Sequence, residues 1–187
     1  MNFFDKYQIE DKKRLLTLNQ HQKRILALMC LERQFCTYRK FTTGQVWSRI
    51  DQYRELMDKF WTIVLNDLEM DDSVWYFHEK IRADNLCNGL EDTIQLCIAR
   101  IFANHIEEWI DYFIDNPVYE EAFRLFTLDF ILVYLNEEEE NFEYDKFEKN
   151  LFIIKEMEHQ IQDERNVKEI LNFEDAKQWY HQCESIF

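Results

Sequence analysis

Glu156 and His159 stand three residues apart in IKEMEHQIQ, a spacing that turns both side chains to one face of a helix, where carboxylate and imidazole can share a metal ion. Ferritin-like bundles use this E-x-x-H pair twice, with two further glutamates pointing inward. Here the remaining histidines, at 21, 78, 105 and 181, have no acid three residues before them. A helical metal-dependent oxidase built on Glu156 and His159 is therefore an alternative reading, and no metal or cofactor is assigned. The five cysteines, at 30, 36, 87, 97 and 183, are odd in number and contain no C-x-x-C. They suggest neither a disulfide framework nor a zinc ribbon, and read as reduced, buried small hydrophobes. With two glycines the chain cannot build a phosphate-cradling loop, and neither H-E-x-x-H nor G-x-S-x-G occurs. No catalytic residue is assigned.

The other chemistry available is electrostatic. The formal charge is −15, but it is unevenly spread. Residues 1–50 hold ten Lys/Arg against four Asp/Glu, a balance of +6, whereas residues 51–187 hold twelve against thirty-three, a balance of −21. Between 107 and 148, fourteen acids face two bases, Arg124 and Lys146. Glu107, Asp111 and Asp115 recur at four-residue steps with Glu108 beside them, a carboxylate ladder on one helical face. Downstream, LNEEEENFEYDKFE joins Glu137, Glu138, Glu139, Glu140, Glu143 and Asp145 to the rings of Phe142, Tyr144 and Phe147. Like charges at helical spacing oppose folding by a few tenths of a kcal/mol per pair, so ladder and run together cost about 1 kcal/mol or more. Two readings follow. The run is a solvated, solubilising loop that favours the N-terminus of the next helix, or it is a docking surface whose field captures a basic protein and whose rings retain it.

The basic stretch, with Lys12, Lys13, Arg14, Lys23, Arg24, Arg33, Arg39 and Lys40, invites a nucleic-acid reading. A net charge of −15 opposes approach to phosphate, so these bases are expected against acidic helices or in solvent.

The elements that must position these groups are helices. Two Gly and one Pro leave almost no punctuation for tight hairpins, and 47% apolar with 16% aromatic residues rule out disorder. No stretch approaches the ~20 apolar residues of a membrane span, and the opening MNFFDKYQIEDKKRLL mixes acids and bases unlike a signal segment, so a cytosolic protein is expected. Periodicity predicts a basic helix over 5–18 and a second starting after Asn19 or Thr17, with Ile25, Leu28, Met29, Glu32 and Cys36 on one face. TTG at 42–44 breaks the chain. A third helix carries the stripe Val46, Ile50, Tyr53, Met57, Phe60 and Val64, flanked by Trp47, Leu56 and Trp61. Further helices are expected over 74–83, 90–114 and 118–135, the last being the most buried. Two more follow over 144–165, with Phe147, Leu151, Ile154, Met157, His159 and Ile161 as its named face, and over 173–185. Without repeats or linkers, these make an all-α, single-domain bundle of about seven or eight helices over residues 1–187.

The stretch QKRILALMCLERQFCTYRKF at 22–41, followed by VWSRIDQYRELMDKFWTIV at 46–64, resembles the opening of small all-helical bacterial immunity proteins of polymorphic and contact-dependent toxin systems. In those, an L-A-L-x-x-x-E-R-like helix precedes an amphipathic helix ending near a Trp. LEDTIQLCIARIFANHIEEW at 90–109 is compatible with a later helix of that kind. Glu32 and Arg33 are the distinctive part, and they read as a buried or partly buried structural pair. The resemblance implies a cytosolic antidote that binds and blocks a cognate protein toxin, often a basic nuclease. It transfers no inhibitory residue. From charge alone, the partner-binding candidates are Glu107, Glu108, Asp111, Asp115, Glu137, Glu138, Glu139, Glu140, Phe142, Glu143, Tyr144 and Asp145. The leading expectation is a non-enzymatic immunity protein that engages neither nucleic acid nor membrane directly. A helical adaptor without a toxin partner is the remaining alternative.

Overall fold

Asn19 opens the first long helix, α1 (Gln20–Thr42), with a reciprocal cap. Its side chain accepts from the Gln22 backbone N–H at 2.9 Å, and the Gln22 side chain accepts from the Asn19 N–H at 3.0 Å. Arg39 and Lys40 occupy the last turn, where cations complement the helix dipole, and Gly44 at φ +85° takes the left-handed turn that a side chain would disfavour. The helices that follow are α2 (Ile50–Leu65), α3 (Asp72–Ala83), α4 (Ile94–Asp115), α5 (Leu151–Asn166) and α6 (Phe173–His181). The protein is all-helical. The computed structural model describes residues 13–83, 93–115, 127, 131 and 150–183, without the side chains of 112, 114 and 115.

α1 is the hub. It packs against α2, α4 and α5, while α3 bridges α2 to α4 and α6 lies on α2. Every residue from 25 to 38 is buried, so α1 is sheathed around its whole circumference. An aromatic knot ties three helices together at this level. Tyr38 of α1, Tyr53 of α2 and Phe102 of α4 lie with ring centroids 5.1 Å apart in each pairing, and Phe35 joins Phe102 at 5.9 Å. Such ring pairs add about 0.5–1.5 kcal/mol each beyond the area they bury. Residues 118–135, expected to be the most central, lie outside the described residues except for Thr127 and Ile131, both buried.

Three expected features are corrected. Val46 does not belong to the α2 stripe: it is 99% exposed, because the chain makes a turn with Ser48 N–H bonded to the Gln45 carbonyl and α2 begins only at Ile50. No continuous helix runs over 144–165, since Asn150 is extended and its side chain caps the Phe152 and Ile153 amides, starting α5 at Leu151. The face assigned to that helix is also rotated. Leu151 and Ile154 are exposed, whereas Ile153, Glu156, Gln160 and Asp163 point inward. The expected stripes of α2 beyond Val46, and the inward Ala176 and Tyr180 of α6, are found as read.

Candidate functional site

Positions 32 and 33 of α1 are neighbours in sequence and therefore diverge around the helix. Both are buried, and each finds its counter-charge on a different helix. The expected structural pair is thus two separate centres, set back to back.

On one side, the Arg33 guanidinium meets α5. Its Nε donates to Glu156 Oε2 at 2.9 Å and Nη2 to Oε1 at 2.8 Å, a two-pronged contact, while Nη1 donates to Asp163 Oδ2 and Nη2 also approaches Cys30 Sγ at 3.5 Å. Gln160 Nε2 donates to the same Glu156 Oε1 at 2.8 Å. Arg33 is 2% and Glu156 1% exposed, so the cluster of one cation and two carboxylates sits in low dielectric. Burial alone would lower the Arg33 pKa, but Asp163 and Glu156 hold it well above the usual arginine value. Burial pushes the Asp163 carboxyl up; Arg33 opposes that rise and the second carboxylate, Glu156, adds to it.

On the other side, Glu32 meets α2. It receives Arg54 Nη1 at 2.9 Å, Arg54 Nη2 at 2.7 Å and the Trp61 indole N–H at 2.7 Å. Arg54 in turn donates to Asp58 through Nε at 2.9 Å, and its guanidinium carbon lies 4.3 Å from the Tyr180 ring centroid and 5.1 Å from that of Phe35. The Tyr180 hydroxyl donates to Asp58 at 3.4 Å, and burial with the Asp58 charge raises its pKa to about 12. This stack pins α6 to α1 and α2.

A cleft of about 310 Å³ opens onto the first centre between α5 and α6, walled by Arg33, Asp163, His159, Trp179 and Cys183 among others. Glu156 is not in its wall. The E-x-x-H pair is therefore split: His159 faces the cleft, while Glu156 is turned inward and its oxygens are occupied by Arg33 and Gln160. Both oxygens of that carboxylate are engaged, and breaking its contact with the buried arginine would be costly. Among the described residues no three His, Cys, Asp or Glu side chains are grouped as metal ligands would be.

The structure gathers few of the charge-derived candidates. Glu107 and Glu108 are half-buried on the last turns of α4, Asp111 is exposed, and Asp115 ends the helix. Between them, Trp109 and Ile110 enter the core, with Trp109 4.2 Å from Phe60. Glu137, Glu138, Glu139, Glu140, Phe142, Glu143, Tyr144 and Asp145 lie outside the described residues. The bases of the first quarter are in part accounted for: Arg14 pairs with Glu164 at 3.1 Å, Arg24 with Asp67 at 3.2 Å, and Arg33 with Glu156 and Asp163. Asp163, Gln160 and Arg54 were not singled out from sequence. The signal for the two on α5 is the i, i+3, i+7, i+10 spacing of Ile153, Glu156, Gln160 and Asp163, a face that is mostly polar instead of apolar.

No family model, curated protein or solved structure matches the chain. Among the described residues no helix is long and apolar enough to cross a membrane.

Proposed function

We propose that this protein is a stoichiometric inhibitor, an antidote of the immunity-protein kind, whose acidic surface covers the cationic substrate groove of a basic toxin, a nuclease. The single observation supporting this reading is where two described cations of the first quarter go. Among the described residues, the ion pairs of Arg24 and Arg33 are with positions 67, 156 and 163, outside residues 107–148. That segment holds fourteen acids and two bases, and Asp111 within it is exposed. A field of this sign raises the encounter rate with a basic partner and places carboxylates where the partner's groove expects phosphate.

The test is co-expression with the product of the neighbouring reading frame, followed by a salt series of association rates. Growth rescue and a one-to-one complex are expected. Changing Glu137, Glu138, Glu139 and Glu140 to Lys is expected to slow association at low salt by roughly tenfold or more and to flatten its salt dependence. An unchanged rate and salt slope in that variant sinks the proposed surface. Rescue without a complex points to enzymatic detoxification, and stable binding to a non-toxic helical protein points to an adaptor.

A further inference from the structure

The cleft between α5 and α6 has a charged floor that does not balance. Arg33 is paired there with two carboxylates, and Arg33, Glu156 and Asp163 are 2%, 1% and 4% exposed. The three together carry one excess negative charge where water screens it poorly. Glu156 spends both oxygens on Arg33 and Gln160 and is absent from the cleft wall. Asp163 is in the wall and gives Arg33 only Oδ2; among the described residues, Oδ1 takes no hydrogen bond. Two further features favour a cation. His159 stands one turn before Asp163 on the same wall, and half-buried Trp179 faces it, packed on Trp61 with ring centroids 6.4 Å apart. Both helices also end here: Asn166 is the last residue of α5 and Gln182 closes α6, so the negative ends of two helix dipoles add to the field of the floor.

We propose that this cleft is a binding site for a terminal alkylguanidinium, with Asp163 as its counter-charge and Trp179 as its stacking wall. A bound cation brings the floor to neutrality, two charges against two. It also offsets the burial that pushes the Asp163 carboxyl up, a rise to which Glu156 adds. A guanidinium suits the cleft better than an ammonium because it is more weakly hydrated, donates in a planar fork and stacks on an aromatic face. The chain already holds Arg54 in this way, on the Glu32 carboxylate at 2.7 Å and 4.3 Å from the Tyr180 ring centroid. Arg33 stands in the wall as a like charge, but its nitrogens are committed, Nε and Nη2 to Glu156 and Nη1 to Asp163, and the two carboxylates outnumber it. A volume of about 310 Å³ admits the head group and a short stem. The same head group is carried by free small molecules and by arginine side chains.

The experiment titrates the isotope-labelled full-length chain with n-butylguanidinium chloride and follows the Trp179 indole N–H by NMR, its resonance assigned through its loss in Trp179→Phe. A saturable shift with a Kd of about 0.1–5 mM is expected for a ligand of this size. The uncharged n-butylurea is expected to bind at least about tenfold more weakly, and n-butylammonium about threefold more weakly. Asp163→Asn, which keeps the Arg33 and Glu156 pair, should weaken n-butylguanidinium at least about tenfold. His159→Lys, at a half-buried position outside that pair, places the chain's own cation one turn from Asp163 and should do the same. Glu158→Gln, an exposed acid on α5 outside the cleft wall, should leave the Kd unchanged. An arginine-centred tripeptide then tells the sources apart, and either result supports the site: binding within about tenfold of that Kd extends the ligand to protein side chains, and weaker binding confines it to free small molecules. An unmoved Trp179 resonance overturns the proposal, as does equal affinity for n-butylurea, or binding that survives unchanged in both Asp163→Asn and His159→Lys. Tighter binding of n-butylammonium overturns the choice of guanidinium.

Discussion

α4 and α5 both carry carboxylates at helical spacing, and they put them to opposite uses. On α5, Glu156 and Asp163 face inward and are sealed against Arg33. On α4, Asp111 faces solvent while Ile106 and Ile110 fill the core. Residue type does not decide between the two outcomes; the opposing helix does. α1 presents a guanidinium to α5, and with α2 it presents an apolar and aromatic surface to α4. An acid is drawn into a core only where a cation already waits there, because desolvating it otherwise costs several kcal/mol.

Removing that cation breaks the contrast most sharply. Arg33→Ala leaves two carboxylates buried against each other, and a loss of about 3–5 kcal/mol in unfolding free energy is expected in urea titrations at neutral pH. A loss below 1 kcal/mol would mean that Glu156 and Asp163 escape to water and that α5 is not held as described.

A smaller effect is expected from the inner face of α4. His105 is 8% exposed, its Nδ1 lies 2.7 Å from the Gln34 side-chain oxygen and must donate to it, and Gln34 passes the chain on to Thr127 at 3.0 Å. Burial lowers the His105 pKa from 6.5 to about 4. The unfolded chain therefore binds the proton more readily, so stability is fully present above pH ~6.5 and falls as pH drops towards ~4, by up to about 3 kcal/mol. Asp163 acts with the opposite sign: its raised folded value means that its contribution is present below the unfolded pKa and lost as pH rises. Comparing wild type with His105→Gln across pH 4 to 7 by urea midpoint isolates the histidine; parallel curves would remove it as the cause.

The smallest effect is expected on the outer face of α4. Asp111→Asn should change stability by no more than about 0.5 kcal/mol, and any gain should shrink with added salt as like-charge repulsion is screened. A loss above 1 kcal/mol would place Asp111 in a structural role and blur the distinction between the two helices.

Much of this architecture was legible in sequence because local chemistry writes it there. Asn19 or Thr17 could be read as the cap of α1, and the structure settles on Asn19 with Gln22, while TTG breaks a helix because Gly44 accepts a positive φ. The stripe from Ile50 to Val64 is apolar because its neighbours are. Val46 was misread because periodicity continues through residues that the chain spends on a turn. The face of α5 was misread for a deeper reason. Its exposed side keeps Leu151 and Ile154, its buried side keeps Glu156, Gln160 and Asp163, and only the partner on α1 explains that inversion. Glu32 and Arg33 were recognised as a buried feature, but adjacency suggested one pair, whereas helical geometry sends consecutive side chains to different neighbours. Of the charge-derived candidates, the described residues give the places of Glu107, Glu108 and Asp111 and the backbone of Asp115.

The central helix being sheathed on every side also sets an order of events during synthesis. Arg33 leaves the ribosome 123 residues ahead of Glu156 and 130 ahead of Asp163. At roughly 5–20 residues per second, the guanidinium and the aliphatic flanks around it wait about 6–26 s for their acids to be translated. During that interval α1 is a nascent, partly naked segment with an uncompensated cation at its middle. The later-made α5 thus decides when the earlier-made α1 can be buried, and a chain arrested before α5 is a substrate for chaperones and proteases.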